Sequence, residues 1–264
     1  MPPEKLDAAT LKNNLQTMLV GSEIHVFQET DSTNRLAREF LEKDAENGLV
    51  VLAERQTAGR GRFGRSWHSP AELGIYLSLV LKPELTLKHI SQLTLMAGVS
   101  VILAIEEATR VPARLKWPND VLVHGKKVAG VLCEYCAEPD LPHGVIIGIG
   151  INVNQFPDQF PDELKSLATS LRIESGEALD RTPLILSLLR HLDGEYEAFL
   201  LEGETHLIQK WSEHSDMWNR SVIVKQGGNL IEGTALRLDP VGRLIIADGQ
   251  GNELAFDSGE VSLK

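Results

Sequence analysis

The amino-acid sequence predicts an α+β domain reaching to about residue 215, closed by a small all-β barrel of fewer than fifty residues. Two observations carry the larger domain. Apolar runs of strand length (LVVLAE, GIYLSLVL, GVIIGIGINV) alternate with segments of helical periodicity, and a chain of 264 residues with 42% hydrophobic content can bury a sizeable core. A third observation carries the barrel: from Trp218 onward, short β-rich runs are broken by GG, DPVG, DGQG and DSG. The divisions read from the chain are a helical segment over 1–24, the main domain over 25–215 and the barrel over 216–264.

Within 4–19, Leu6, Leu11, Leu15, Met18 and Leu19 fall at near-helical spacing. Residues 24–28 alternate like a strand. Asp31, Ser32, Thr33 and Asn34 are capping residues ahead of Leu36, Ala37, Phe40 and Leu41, which predicts a helix ending before Gly48. Residues 49–54 and 74–81 read as buried strands. Residues 89–109 form a long apolar helix laid on the sheet. ARLKW (113–117) is a strand stopped by Pro118, and residues 121–135 are a hairpin turning near Gly125. GVIIGIGINV (144–153) is a further strand, and the Pro-rich stretch after it is loop. A helix over 182–203 has Pro183 near its start, and a shorter helical piece follows.

The formal net charge of −11 gives the whole molecule no basic footprint for nucleic acid. Too little chain precedes the first strand for a complete helix-turn-helix domain. No apolar run reaches the length of a membrane span and the N-terminus lacks a signal peptide's apolar centre, so the expected location is cytoplasmic. The two cysteines, Cys133 and Cys136, have C-x-x-C spacing, but on a strand they point to opposite faces and are read as buried packing residues.

Against this acidic background stands QTAGRGRFGRSW (56–67), with three arginines, three glycines and a tryptophan in twelve positions. Glycines let backbone approach a ligand closely, and arginine forks match carboxylate and phosphate geometry. The string GRGRFG is formally G-x-G-x-x-G. A dinucleotide site needs a helix to open there, and RSWHSP and a strand follow instead. No P-loop string occurs. The loop is therefore suited to a small anion. KWPND (116–120) with KKVAG (126–130), and IIGIGINVN (146–154), are weaker signals, each readable as turn or strand chemistry alone.

Taken in order, DSTN, QTAGRGRFGRSW, KWPND, KVAGVLCE, GIGINV and a closing SGEVSL resemble biotin–protein ligase (biotin–[acetyl-CoA carboxylase] ligase) from about Glu29 to the C-terminus. The absence of a preceding winged helix resembles the monofunctional type, without a repressor role. The resemblance implies a mixed β-sheet covered by helices, of the biotin/lipoate ligase and class II synthetase kind, and an SH3-like barrel. It implies two steps: biotin and ATP give biotinyl-5′-AMP and pyrophosphate, then a lysine of a biotin carboxyl carrier domain takes the biotinyl group. Mg2+ on the ATP phosphates and a possible homodimer come with it.

The resemblance also implies roles. Lys127, Asp120 and Arg62 are the catalytic candidates, Lys127 at the reacting oxygens and Asp120 orienting or deprotonating the carrier lysine. Biotin would meet Ser32, Thr33, Asn34, Gln56, Gly59, Arg60, Gly61, Arg62, Lys127, Gly130 and Gly148. Nucleotide would meet Arg62, Gly64, Arg65, Trp67, Asn119 and Asn152. No metal-ligand set is legible. A lipoate–protein ligase and a non-catalytic sensor of biotin or its adenylate are the alternatives.

Overall fold

Strands buried on both faces belong in the middle of a sheet, and burial orders the strands here. The protein is described by a computed structural model covering residues 5–83, 90–137 and 142–263. Seven strands form the main sheet: β1 (Ile24–Phe27), β2 (Val50–Ala53), β3 (Gly74–Leu81), β4 (Arg114–Lys116), β5 (Asp120–Val123), β6 (Lys126–Cys136) and β7 (Gly144–Asn152). Their order is β1-β2-β3-β7-β6-β5-β4, with the fully buried β2 and β3 inside and the half-buried β1 at one edge. β1 and β2 run parallel and every other pair antiparallel, so the sheet is mixed, as expected. A parallel pair needs a crossover, and α2 (Thr33–Glu42) supplies it.

The two faces are covered unequally. On one lie α3 (Ile90–Thr109), α5 (Arg181–Glu202) and α6 (Glu204–Glu213), which join Leu77, Leu79, Ile147, Ile149 and Val131 in the main core. On the other face α2 packs over a small cluster of Ala37, Leu41, Leu49, Val51, Val80, Cys136 and Ile146. Cys133 packs with the main core and Cys136 with the small cluster, so the pair does straddle the sheet. Burial pushes the Cys133 thiol up to about 12, which suits a packing residue and not a reactive one.

The structure corrects three expectations. Ser91–Thr109 is long and apolar enough to cross a membrane, with a mean hydropathy of 1.3, although no such run was expected. In the fold it is a core helix, held between the sheet and α5, and two-thirds of it is buried (67%). The predicted first residue of this helix, His89, lies outside the described residues. The N-terminal helix α1 spans only Ala8–Asn14, and Met18 is exposed instead of facing the core. Beyond α1 the chain turns because Asp193 accepts the N–H groups of Met18, Leu19 and Val20 at 2.7–2.9 Å, leaving no helical partner for them. A short helix absent from the sequence reading, α4 (Leu171–Ser175), is capped by Ser170, which accepts from the Ile173 N–H, and ends on left-handed Gly176.

The C-terminal strands β8 (Ser221–Gln226), β9 (Asn229–Leu238), β10 (Leu244–Ala247), β11 (Glu253–Phe256) and β12 (Glu260–Leu263) form one antiparallel sheet, ordered β11-β10-β9-β8-β12, consistent with an SH3-like domain. Its apolar face is continuous with the main core through Val222, Val224, Leu244 and Val261. Trp117, 1% exposed, is the joint: its indole N–H donates to Gly242 O (3.0 Å) and its backbone N–H meets Met217 Sδ (3.2 Å).

A buried ion pair fixes the start of α5. Arg181 and Glu54 are each 2% exposed and meet at 2.6 Å, and Glu54 also accepts the Leu6 N–H at 2.7 Å. Removing one partner strands the other charge in the core. Arg181→Ala should therefore lower unfolding stability by about 3–5 kcal/mol, read as a fall in the urea midpoint.

Candidate active site

On the face that α2 leaves open, the sheet lacks side chains where a ligand would lie. Gly130 of β6 is paired with Gly150 of β7, and Gly148 follows two residues back on the same face. Trp67 covers the first pair: a Cβ on Gly150 would lie 2.4 Å from its indole, and one on Gly130 would lie 3.2 Å from it. Asn34 fills the space over Gly148, where a Cβ would sit 2.1 Å from Asn34 Oδ1. The result is a cavity of about 460 Å³, within the size range of small-molecule sites.

One end of this cavity is polar and rigid. Thr33 opens α2, and its N–H donates to Gln56 Oε1 (2.8 Å) where the Ser32 side chain makes no cap. Gln56 Nε2 donates in turn to Ser69 Oγ (2.9 Å). Thr33 Oγ1 lies 2.8 Å from Ser78 Oγ, and the Ser78 hydroxyl donates to Asn34 Oδ1 (2.6 Å). Ser32, Thr33, Asn34 and Ser78 are all buried.

The other end is cationic. Residues 59–67 fold as a narrow ribbon, with Gly61 N–H donating to Arg65 O (2.7 Å) and Trp67 N–H to Gly59 O (2.8 Å). The ribbon reverses through Arg62–Gly64, with Phe63 and Gly64 both at positive φ. Only this three-residue turn occupies the place where a dinucleotide fold would open a helix. Arg62 donates to Asn119 Oδ1 (3.3 Å) and to Gly259 O (3.2 Å), and Arg65 pairs with Glu260. Burial lowers the Arg62 guanidinium's pKa, against which Asp120 and Glu260 act to keep the charge.

Lys127 enters from β6, whose first residues are held by Lys127 N–H to Leu167 O (2.8 Å) and Thr169 N–H to Lys127 O (2.9 Å). Its ammonium pairs with Asp120 and stands 5.4 Å above the Trp67 ring. The second oxygen of Asp120 is 3.1 Å from Lys116 Nζ. Burial alone would raise the Asp120 pKa, but the two ammonium groups outweigh it and hold it below the ordinary value.

The sequence-predicted residues Ser32, Thr33, Asn34, Gln56, Arg60, Gly61, Arg62, Arg65, Trp67, Asn119, Asp120, Lys127, Gly130, Gly148 and Asn152 all line this cavity. Gly59 and Gly64 do not. Gly59 is closed in from behind, where a Cβ would meet Trp67 O at 2.6 Å, and Gly64 (φ 73°) serves the turn. Asn152 lines the wall but is committed to the fold, its amide donating to Thr169 O (3.0 Å). The loop residues Phe160, Leu164 and Leu167 and the barrel residues Gly259 and Glu260 also line the cavity and were missed. The closing SGEVSL string was the available signal for the barrel pair; nothing in the Pro-rich loop marked its members. Among the described residues no cluster of three His, Cys, Asp or Glu could hold a metal.

Comparisons with known proteins show what the chain and its fold are similar to. The profile of the Biotin/lipoate A/B protein ligase family matches residues 26–152. The bifunctional ligase/repressor BirA of Bacillus subtilis is 39% identical, over 94% of this chain and 77% of its own. The biotin–[acetyl-CoA-carboxylase] ligase of Mycobacterium tuberculosis is 32% identical over 95% and 94%. Among solved structures, the biotin protein ligase of Aquifex aeolicus in complex with biotin and ATP superposes with a TM-score of 0.80 at 34% identity, covering 92% of this chain and 99% of that one.

The state of Asp120 has a measurable consequence. Its pKa is lower in the folded than in the unfolded chain, so it stabilises the fold above the ordinary value of about 3.8, and that contribution is lost as pH falls below it. Between about pH 5 and pH 2 the Tm of Asp120→Asn should fall less steeply than that of the wild type.

Proposed function

The chain belongs to the Biotin/lipoate A/B protein ligase family, and from that premise we propose that the cavity under the Arg/Gly ribbon is where biotin is activated and transferred. The protein is an ATP-dependent biotin–protein ligase, of the kind named biotin–[acetyl-CoA-carboxylase] ligase. The observation that carries the site is the polarity of one cavity: fixed hydrogen-bonding groups at one end, Arg62 and Lys127 at the other, glycines between.

Activation brings two anions together. The biotin carboxylate attacks the α-phosphorus of ATP, an oxygen–phosphorus bond forms, and pyrophosphate leaves. The barrier is largely electrostatic, and cations already oriented at the reacting oxygens lower it. Lys127 and Arg62 are the two we assign to that task, with Arg60 and Arg65 nearby and Trp67 and Asn119 on the nucleotide side. The fused rings can lie beside Trp67, which covers the Gly130–Gly150 floor, with Ser32, Thr33, Asn34 and Gln56 holding the polar end. The ribbon over 59–67 then shields the mixed anhydride from water.

In the second step a carrier lysine attacks the anhydride carbonyl, the amide forms, AMP leaves and the amine gives up a proton. Asp120, kept ionised by Lys127 and Lys116, suits the orientation of an incoming ammonium better than acceptance of its proton. Mg2+ would enter on the ATP phosphates, neutralising charge there, since both Asp120 oxygens already face lysines. A biotin carboxyl carrier domain as acceptor, a homodimer and a cytoplasmic location complete the proposal.

ATP–pyrophosphate exchange tests the reading directly: exchange is expected with biotin and not with lipoate, and no exchange with either would overturn it. Lys127→Ala should slow adenylate formation by on the order of 10²–10³, the scale for one preorganised charge-stabilising group. Arg62→Gly should weaken adenylate retention more than biotin binding, as followed by stopped-flow release; equal release rates before and after the change would remove the shielding role from the ribbon.

A further inference from the structure

Two polar side chains stand directly behind the closed end of the cavity without lining it: Ser78 of β3 and Glu134 of β6. Ser78 is 0% exposed in an otherwise apolar strand. It lies in register with Gly148, and Leu132, two residues before Glu134, faces Gly148 from the other side. Asn34 is stretched flat across this row. Its amide nitrogen donates to Glu134 Oε2 at 2.7 Å and its oxygen lies 2.6 Å from Ser78 Oγ.

The order of donors along the row follows from what each group can do. A carboxylate only accepts, so the Asn34 NH2 must face Glu134 and its carbonyl must face Ser78. That carbonyl only accepts, so the one Ser78 proton points to Asn34. The Ser78 oxygen, 2.8 Å from Thr33 Oγ1, is then left to accept the Thr33 proton. Gln56 Oε1 accepts the Thr33 backbone N–H at 2.8 Å and is the more distant acceptor for the Thr33 hydroxyl, at 3.1 Å, also on the protein side. The Thr33 hydroxyl has therefore turned its proton into the protein and presents lone pairs to the cavity.

We propose that Glu134 and Ser78 are specificity-determining positioning residues, which hold the Thr33 hydroxyl as an acceptor and so select a ligand that offers an N–H there. This rests on the biotin reading above and deepens it: the ring urea of biotin offers two N–H donors, and lipoate offers none. A site that commits buried polar groups to a ligand N–H discriminates strongly against an analogue lacking it.

The test is pyrophosphate exchange by the full chain at saturating ATP, with biotin and with the two cyclic carbamates in which one ring N–H is replaced by oxygen. The wild type should prefer biotin to at least one carbamate by on the order of 10² in kcat/KM. In Glu134→Gln the Asn34 amide can turn over and reverse the row, and in Ser78→Ala the relay is cut. Both variants should lose about tenfold or more of that preference through the KM for biotin, with the KM for ATP within about twofold of wild type. Unchanged preference in both variants overturns the proposal alone. A parallel rise in the KM for ATP reveals a merely structural role and also overturns it. Absence of biotin-dependent exchange in the wild type overturns the biotin reading and this proposal with it.

Discussion

The arrangement depends on what is missing from one face of the main sheet. Two strands place glycine opposite glycine at Gly130 and Gly150, with Gly148 beside them, and the side chains that would fill that face come from elsewhere. Trp67 descends from the Arg/Gly ribbon and Asn34 from the start of α2, each into a space that a Cβ would obstruct. The opposite face has no such freedom, because α3 and α5 bury it completely in the main core. One rigid sheet thus serves as core on one side and as floor of a site on the other.

Electrostatics divides that floor. Lys127, Lys116, Arg62 and Arg65 converge from three separate segments, and Asp120 and Glu260 lie among them. Cations outnumber anions at this end, whereas the whole chain is acidic. An anionic substrate therefore meets a local field opposite in sign to that of the molecule carrying it. The other end carries its specificity in directed hydrogen bonds instead, where Thr33, Asn34, Ser78 and Gln56 are each oriented by the next.

Much of this was legible in the sequence because local chemistry and tertiary outcome agree. GIYLSLVL is a strand over all eight residues, and the hairpin turns at His124–Gly125, both at positive φ. The Arg/Gly string was recognisable since few folds need so many arginines beside glycines. What was not legible depended on distant partners. The end of α1 is set by Asp193, far along the chain, and the cap of α2 by Gln56 instead of Ser32. The membrane-length apolarity of α3 shows why a hydropathy window alone cannot distinguish a core helix from a spanning one. Ser78 was an overlooked local signal, a hydroxyl inside an apolar strand that had to find a partner.

Gly259 and Glu260 lie 197 and 195 residues beyond Arg62 and Arg65, yet they hold them over the cavity. Synthesis from the N-terminus therefore leaves the site unfinished until β12 emerges. A nascent chain can fold the sheet, the core helices and the polar end of the cavity while its arginine ribbon still lacks these anchors. The cover over the cavity is therefore completed only when β12 has been made, and chains interrupted before it have the scaffold without these anchors.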